Sequence, residues 1–269
     1  MPIVDSHCHT SDCWYEPVES LLFQMDANGV EKAILIQMMG QYDNGYQAAC
    51  VRRYPDRLAS VVIVDTERPD AVEQLEREKE RGAAGLRLRP TARSAGDDPL
   101  AIWRAAERLG LSVSCGGTGP EFAAPAFGEV VESVPRLKIV IEHLGSVGRP
   151  DDDVAHALRR KVFGLARYPN TCIKIHGLGE FCRRAMPVPP PDPPGATAFP
   201  FVQPIPSALE AAYDAFGAGR MMWGSDYPPV SGREGYRHAL RLTMRALEGK
   251  SDEERSLIFG QVALTVFPV

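Results

Sequence analysis

The chain has 269 residues, a length that suits one large domain, and its hydrophobic content of 44% is enough to fill a sizeable core. The 35 acidic and 30 basic residues give a formal net charge of -5, which is mild and argues against a nucleic-acid or anionic-membrane surface. Six cysteines without a CxxC pair indicate a reduced, cytoplasmic protein rather than a disulfide framework. The first residues predict no signal peptide, and no apolar run is long enough to span a bilayer.

Eight short runs rich in apolar and β-branched residues predict buried parallel strands. In chain order they occupy residues 3–5, 33–37, 60–64, 85–88, 111–114, 137–141, 172–175 and 221–223. Helical patterns lie between them: residues 71–81 carry apolar positions at helical spacing, and Asp98-Pro99 begins a further helix that Gly110 ends. This alternation predicts an α/β fold, a single-domain (β/α)8 TIM barrel over residues 1–269. A doubly wound open sheet would use the same alternation, and the count of eight strands favours the barrel.

A proline-rich insertion is expected between strands seven and eight, where Met186 to Pro206 contains nine prolines. Such a segment cannot form a helix or an inner strand. Two interpretations stay open: a surface connection, or a semi-rigid wall over a pocket at the C-terminal face, where the active sites of such barrels lie.

His7 and His9 are two residues apart at the end of the first predicted strand. Because side chains alternate along an extended chain, both imidazoles face one side, here the inside of the barrel mouth. Asp5 is expected to face the same side but deeper, where it either supports the ligands from behind or has a packing role. Two inward imidazoles supply half of a metal site, although an HxH pair alone also arises by chance or for packing.

Three other strand ends strengthen this interpretation. Strand six is followed by His143, strand seven by His176 and strand eight by Asp226, so four of the six histidines and one aspartate converge on one face. Neutral imidazoles and a carboxylate can hold a divalent ion that polarises a carbonyl and lowers the pKa of its water. Asp226 fits the base that takes a proton from this water. The alternative for Asp226 is a turn or N-cap residue before two prolines.

Three segments resemble the amidohydrolase-2 family, and the similarity runs along the whole chain. They are Asp5-Ser6-His7-Cys8-His9, Glu142-His143-Leu144-Gly145 and Trp223-Gly224-Ser225-Asp226-Tyr227-Pro228. The resemblance implies a TIM-barrel enzyme of a family that contains metal-dependent hydrolases, sugar lactonases, pyrone-dicarboxylate and sulfomuconolactone hydrolases, and some decarboxylases. Residues 43–44, 54–57 and 64–65 are similar to the lactonase branch. These motifs are specific for the superfamily and poor guides to the substrate.

The resemblance also implies roles for single residues. His7 and His9 are implied to be metal ligands, Asp226 a ligand and the water-activating base, and His143 a ligand or a hydrogen-bonding group near the water. His176 stands where relatives often have Ser or Thr, so the roles of ligand, general acid and pocket wall stay open for it. The catalytic set is therefore Asp226, His143 and His176, and the ligand set is His7, His9, His143, His176 and Asp226.

A single divalent ion is expected, with zinc as first choice and manganese as the alternative. Binuclear relatives bridge two ions with a carbamylated lysine or a glutamate on strand four, whereas this strand ends in Arg87-Leu88-Arg89. Strand five ends in Ser114-Cys115-Gly116 and lacks a histidine. Some relatives of the lactonase branch use no metal, which leaves a metal-free mechanism open. Cys8 and Cys115 have no base at a fixed spacing and are predicted to be small buried residues rather than nucleophiles.

Arg87 and Arg89 alternate with leucines, so both point into the barrel or both point out. Two inward arginines would need an anionic partner, either a substrate carboxylate or an internal acidic residue. Arg89 lies nearer the mouth and is the better candidate for binding a substrate carboxylate. Tyr227, Asn44 and Met38 lie just beyond strand ends and are predicted to line the pocket, with packing as the alternative.

The leading interpretation is hydrolysis of a small carbonyl substrate, a carboxylated or sugar-acid lactone, by activated water. The alternative is metal-dependent, non-oxidative decarboxylation of a hydroxy aromatic or related acid, which the same ligands would serve. A barrel that only binds is disfavoured because all four histidines and the aspartate are retained. The expected partner is a small anionic substrate, neither nucleic acid nor membrane is expected, and a homo-oligomer is left open.

Overall fold

The computed structural model describes residues 2–148, 153–181 and 207–269, and the proline-rich segment 186–206 lies outside them. Eight parallel strands form one sheet in which each strand pairs with the next along the chain. They are β1 (Val4–Cys8), β2 (Lys32–Ile36), β3 (Leu58–Val62), β4 (Gly85–Leu88), β5 (Ser112–Cys115), β6 (Ile139–Ile141), β7 (Thr171–Ile175) and β8 (Met221–Trp223).

The segment after β8 meets β1, so the sheet is a nearly closed barrel. The His9 amide donates to the Tyr227 carbonyl at 2.7 Å, and the Asp226 amide donates to the His7 carbonyl at 2.8 Å. The predicted (β/α)8 TIM barrel is therefore confirmed, with strand bounds that differ from the predicted ones by one to two residues at most ends.

Helices connect the strands, because parallel strands can be joined only by crossover connections. They are α1 (Val18–Asn28), α2 (Gly45–Arg53), α3 (Ala71–Glu80), α4 (Ala101–Arg108), α5 (Gly119–Ala123), α6 (Pro125–Ser133), α7 (Asp153–Phe163), α8 (Ala208–Phe216), α9 (Tyr236–Ala246), α10 (Asp252–Ser256) and α11 (Val262–Val266). The two helical patterns described above correspond to α3 and α4, and a third, expected to begin at residues 151–153 and to run to Ala166, corresponds to α7. In the part of the chain that the structure describes, no helix is long and apolar enough to cross a membrane.

Two buried clusters hold the barrel together. One fills the inside of the barrel and joins the strands to the C-terminal helix; it includes Val4, Ile34, Val61, Val140, Met222, Val262 and Phe267. The Ser112 hydroxyl also donates to the Val266 carbonyl at 2.7 Å, so α11 closes the N-terminal end of the barrel. The second and larger cluster lies between the strands and the helices. Among the described residues, α11 therefore covers the N-terminal end of the barrel, whereas the C-terminal strand ends border a cavity.

A bulge in β1 alters the side-chain pattern that the sequence predicts. Asp5 pairs with Ala33 and Cys8 with Leu35, so β1 has one residue more than β2 between these two pairs. The Asp5 carboxylate accepts hydrogen bonds from the Ser225 amide at 2.8 Å and the Ser225 hydroxyl at 2.6 Å. The expectation that Asp5 faces the same side as His7 is wrong, because the bulge interrupts the alternation between them. Its packing role is retained, since Asp5 ties β1 to the segment that carries Asp226.

Candidate active site

A cavity of about 570 Å³ opens at the C-terminal mouth of the barrel. His9, His143 and Asp226 line it together with Met38, Arg87 and the rim residues Trp14 and Tyr15. His7 belongs to β1, and the other predicted histidines and Asp226 directly or closely follow the strands named for them. The rule that C-terminal strand ends meet at one face therefore brings all five predicted site residues together.

Three of these residues form a group that fits a cation. His7, His143 and Asp226 each offer a ligand atom, and these atoms lie within 4.8 Å of one another. His7 Nε2 is buried without a hydrogen-bond partner, 3.9 Å from Asp226 Oδ1, and a bound cation would satisfy it. His9 Nδ1 donates to the Ile36 carbonyl at 2.6 Å, which fixes the ring with Nε2 3.6 Å from the same carboxylate oxygen. Imidazole and carboxylate donors suit zinc.

Asp226 is held ionised and in a constrained conformation. Its backbone φ of 59° lies in the left-handed region, which costs a non-glycine residue about 1–3 kcal/mol and is frequent at functional sites. Burial alone would raise the pKa of Asp226, but the close approach of His9 and the positive charges of His143 and Arg233 outweigh it and hold that pKa below its usual range. The carboxylate is therefore ready to ligate a cation or to accept a proton at neutral pH.

Glu180 joins two of the predicted histidines. It ends a short 3-10 turn after β7, and its Oε2 lies 2.7 Å from His176 Nε2 and 3.4 Å from His143 Nδ1. Burial alone would lower the pKa of His143, but contact with Glu180 and the negative charge of Asp226 outweigh it and raise that pKa. Burial and then the charge of His143 lower the pKa of His176. The two imidazoles therefore differ in their affinity for a proton.

A buried polar network lies directly below the histidines. Arg87 donates to both Glu142 oxygens, at 3.1 Å and 2.7 Å, and Ser114 donates to one of them at 2.6 Å. Lys174 Nζ donates to Ser114 Oγ at 2.8 Å and lies 3.4 Å from His7 Nδ1. Burial would raise the pKa of Glu142, but the charges of Arg87 and Lys174 lower it to about 2, while burial lowers the pKa of Lys174 to about 7. The network supports the His7 ring from the side opposite the cavity.

Three of the predicted substrate-binding residues line two different cavities. Met38 and Arg87 line the main cavity, and Arg89 lines an adjacent cavity of about 530 Å³. Arg87 is paired with Glu142, which is the internal acidic partner that the sequence left open. Arg89 is half exposed and donates to both oxygens of Glu121, at 2.7 Å and 3.0 Å. Arg89 is therefore the arginine whose partner lies in contact with solvent.

Asn44 and Tyr227 do not line either of these cavities. Asn44 is buried and exchanges two hydrogen bonds with the Ile63 backbone, at 3.1 Å and 2.9 Å. Tyr227 is also buried, and its ring packs against that of Tyr236 on α9 with centroids 5.8 Å apart. Both residues make the packing contacts of the alternative interpretation, and a role for them in substrate binding stays a prediction.

Sequence reasoning missed three charged residues that contact the site. Lys174 had a usable signal, because it precedes His176 by two positions and so points to the same face of β7. Glu180 and Arg233 lie in loops, where the spacing to a strand end does not fix the position of a side chain. Arg233 donates to Asp226 Oδ2 at 2.6 Å, which no pattern in the sequence indicates.

The fold and the site define a TIM-barrel enzyme with candidate metal ligands at its C-terminal face. Residues 4–269 match the family model described as amidohydrolase, and the chain belongs to this family. It is therefore an enzyme of the amidohydrolase superfamily, whose members act on small molecules and typically bind a metal. No curated protein matches the sequence.

Several solved structures share the fold. An amidohydrolase from Burkholderia multivorans, with bound HEPES, has a TM-score of 0.77 and 21% identity, with all of both chains covered. A second structure from that organism, with the same description but bound zinc, has a TM-score of 0.77, 20% identity and the same coverage. A probable 2-pyrone-4,6-dicarboxylic acid hydrolase from Acinetobacter baumannii, with bound citric acid, has a TM-score of 0.70 and 18% identity over all of both chains. The 5-carboxyvanillate decarboxylase from Sphingomonas paucimobilis has a TM-score of 0.64 and 15% identity over 100% of this chain and 99% of its own.

Proposed function

We propose that this enzyme hydrolyses a small lactone, carboxylated or derived from a sugar acid, by attack of water on the ring carbonyl. The observation that carries the proposal is the convergence of His7, His143 and Asp226 within 4.8 Å at the mouth of the barrel. The likeness to a probable pyrone-dicarboxylic acid hydrolase supports the choice of a lactone. The bound citric acid of that relative supports an anionic substrate.

The residues that would hold one divalent ion are His7, His9, His143 and Asp226, with His176 as a further candidate. Zinc is the first choice, because the donors are imidazoles and a carboxylate and because a relative contains zinc; manganese is the alternative. When bound, such an ion polarises the carbonyl of a substrate and lowers the pKa of water.

Asp226 is proposed as the general base. The water oxygen bonds to the carbonyl carbon, Asp226 takes the proton of this water, and the ring C–O bond breaks as the proton passes to the leaving oxygen. His143 lies beside Asp226 at the cavity wall and is placed to orient the water or the carbonyl. Arg89 is proposed to meet a substrate carboxylate from the adjacent cavity in exchange for Glu121, while Met38 contacts the rest of the substrate.

The test is a panel of carboxylated and sugar-acid lactones, with metal analysis of the purified enzyme and activity before and after chelation. Asp226→Asn should lower turnover by about 10²–10⁴-fold while the circular dichroism spectrum stays unchanged. Asp214→Asn, an exposed aspartate on α8, is the matched control and should retain full turnover. Near wild-type rates in Asp226→Asn would overturn the mechanism. Activity that persists after chelation, in an enzyme that contains no metal, would show that the water is activated without a metal ion.

A decarboxylase is the second candidate, and the contact between His176 and Glu180 is the observation that favours it. Decarboxylation must deliver a proton to the carbon that loses carbon dioxide, and His176, 2.7 Å from Glu180, is a buried group that could supply it. Release of carbon dioxide from hydroxy aromatic acids, together with no turnover of lactones, would decide in favour of this reaction.

A further inference from the structure

We propose that the barrel mouth contains a second position for a divalent cation, formed by His143 Nδ1, His176 Nε2 and Glu180 Oε2. It uses His143 Nδ1, which faces Glu180, whereas His143 Nε2 lies 4.0 Å from Glu142, and it is distinct from the position formed with His7 and Asp226. The proposal does not depend on which reaction the enzyme catalyses, because it concerns only the binding of an ion.

The first argument is the geometry of these three side chains. Each offers a ligand atom, and the three atoms lie within 4.8 Å of one another. His176 is fully buried, and neither of its ring nitrogens makes a hydrogen bond; His143 Nδ1 is likewise buried and without one. Buried polar atoms without partners are rare, and each one calls for an explanation.

The second argument is the way in which the contacts are made. Glu180 Oε2 is only 2.7 Å from His176 Nε2, yet the pair lacks the alignment of a hydrogen bond. The same oxygen is 3.4 Å from His143 Nδ1, again without that alignment. A cation held between the three atoms would satisfy both imidazole nitrogens and the carboxylate oxygen together.

The third argument is the chemistry of the donor set. Two imidazoles and one carboxylate are a set that zinc accepts, and a catalytic or open zinc site has three protein ligands with a fourth position for water. The Glu180 side chain is 30% exposed, so water could complete the coordination from the side of Glu180. Arg233 is the arginine nearest to Glu180 among the ion pairs of the described residues, but its Nη1 is 3.8 Å from Glu180 Oε2, whereas its Nη2 is 2.6 Å from Asp226.

The two positions are alternatives for one ion, because they share His143. A neutral imidazole has a lone pair on only one of its nitrogens, so His143 cannot ligate two ions at once without losing its remaining proton. An ion at the second position would leave Asp226 free of it. This agrees with the expectation of one ion per chain and gives that ion two places to lie.

The proposal is tested by titrating zinc into the metal-free full chain and measuring the binding by calorimetry. In Asp226→Asn the first position is weakened, and this variant should still bind one zinc ion. Adding Glu180→Gln to this variant should lower its zinc affinity by at least about tenfold. Replacing a residue that only supports a metal ligand already lowers metal affinity about 10–100-fold. Adding Glu210→Gln, an exposed glutamate on α8, is the matched control and should leave the affinity unchanged. If Asp226→Asn does not fold, His9→Asn replaces it as the background.

Anomalous diffraction at the zinc edge locates the ion directly. Crystals of the background variant soaked in zinc should show a peak about 2.0–2.2 Å from His143 Nδ1, His176 Nε2 and a Glu180 oxygen. A peak at His7 instead, the absence of any peak beside Glu180, or equal zinc affinity with and without Glu180→Gln would each overturn the second position. A lack of lactone hydrolysis would leave these readouts unaffected.

Discussion

Arg233 donates a 2.6 Å hydrogen bond to Asp226 Oδ2, while Oδ1 of the same carboxylate faces His9 Nε2 across 3.6 Å. The two oxygens of Asp226 therefore have separate surroundings: one is anchored by a guanidinium, and the other is directed at the imidazoles. The hydrogen bond from Arg233 therefore holds the orientation in which Oδ1 faces the imidazoles.

Replacing Arg233 should therefore disturb Asp226 without unfolding the protein, since the Arg233 side chain is partly exposed. Arg233→Met should weaken metal binding and lower kcat by about 10–100-fold, and Arg233→Lys should restore part of the loss because a cation remains. Zinc affinity and the split between kcat and KM are the measurements. Arg53→Met, which removes an exposed ion pair with Glu19, is the control. Equal zinc affinity in Arg233→Met and the wild type would contradict the anchoring role.

The buried network below the histidines should make a large contribution to stability. Glu142→Gln removes a carboxylate that accepts from Arg87 and interacts with Lys174, and breaking a buried pair in this way costs about 3–5 kcal/mol. The free energy of unfolding from urea denaturation is the measurement. The added replacement Arg87→Met should recover part of the loss, because the unpaired cation is then removed as well.

Glu76→Gln provides the comparison for an exposed ion pair. Glu76 accepts from Arg108 at 2.6 Å on the outside of the barrel, where such pairs are worth about 1 kcal/mol or less. If Glu142→Gln costs no more than Glu76→Gln, the network does not hold the barrel interior as described.

The sequence was sufficient for the fold and for the position of most site residues, because both depend on local patterns. Apolar runs identify strands, and strand ends of a parallel barrel meet at one face, so His143, His176 and Asp226 could be brought together without coordinates. The catalytic roles of these residues stay predictions. The direction of Asp5 could not be predicted, because the bulge in β1 depends on how that strand pairs with β2.

Loop residues show the other limit of the sequence. Nothing in the spacing of Glu180 or Arg233 indicates that a turn brings them to the histidines, and loop geometry depends on the packed surroundings. Conversely, Asn44 and Tyr227 lie near strand ends but are buried in packing contacts, since position after a strand does not specify which way a side chain points. Arg87 and Arg89 differ in their surroundings because Arg87 pairs with Glu142 and Arg89 pairs with Glu121. The sequence does not indicate these pairs, since the glutamates are distant from the arginines in the chain.

Thiol reactivity offers a test of burial around the site. Of the five cysteines that the structure describes, only Cys13 is exposed. Burial raises the pKa of the Cys172 thiol to about 11 and raises the pKa values of Cys8 and Cys115 well above their usual range. At pH 8 these thiols stay protonated and out of reach, so iodoacetamide should label Cys13 and leave Cys8, Cys115 and Cys172 unlabelled. Peptide mass spectrometry is the measurement, and labelling of Cys115 as fast as Cys13 would contradict the predicted role as a buried residue.

Gly224 determines how closely the end of β8 can approach β1. A Cβ at this position would lie 2.6 Å from His7 Cβ and 2.7 Å from the His7 amide nitrogen, closer than real Cβ atoms come to other atoms. Gly224→Ala must therefore displace either His7 or the segment that carries Asp226, at a cost of about 1–3 kcal/mol for overpacking. Because the two displaced residues belong to one ligand group, zinc affinity should fall together with the melting temperature.

Gly219→Ala is the matched control, since a Cβ there meets no atom within 4 Å, and it should leave zinc affinity unchanged and stability equal or slightly higher. A Gly224→Ala protein with the zinc affinity of the wild type would show that the approach of the two strands does not position the site.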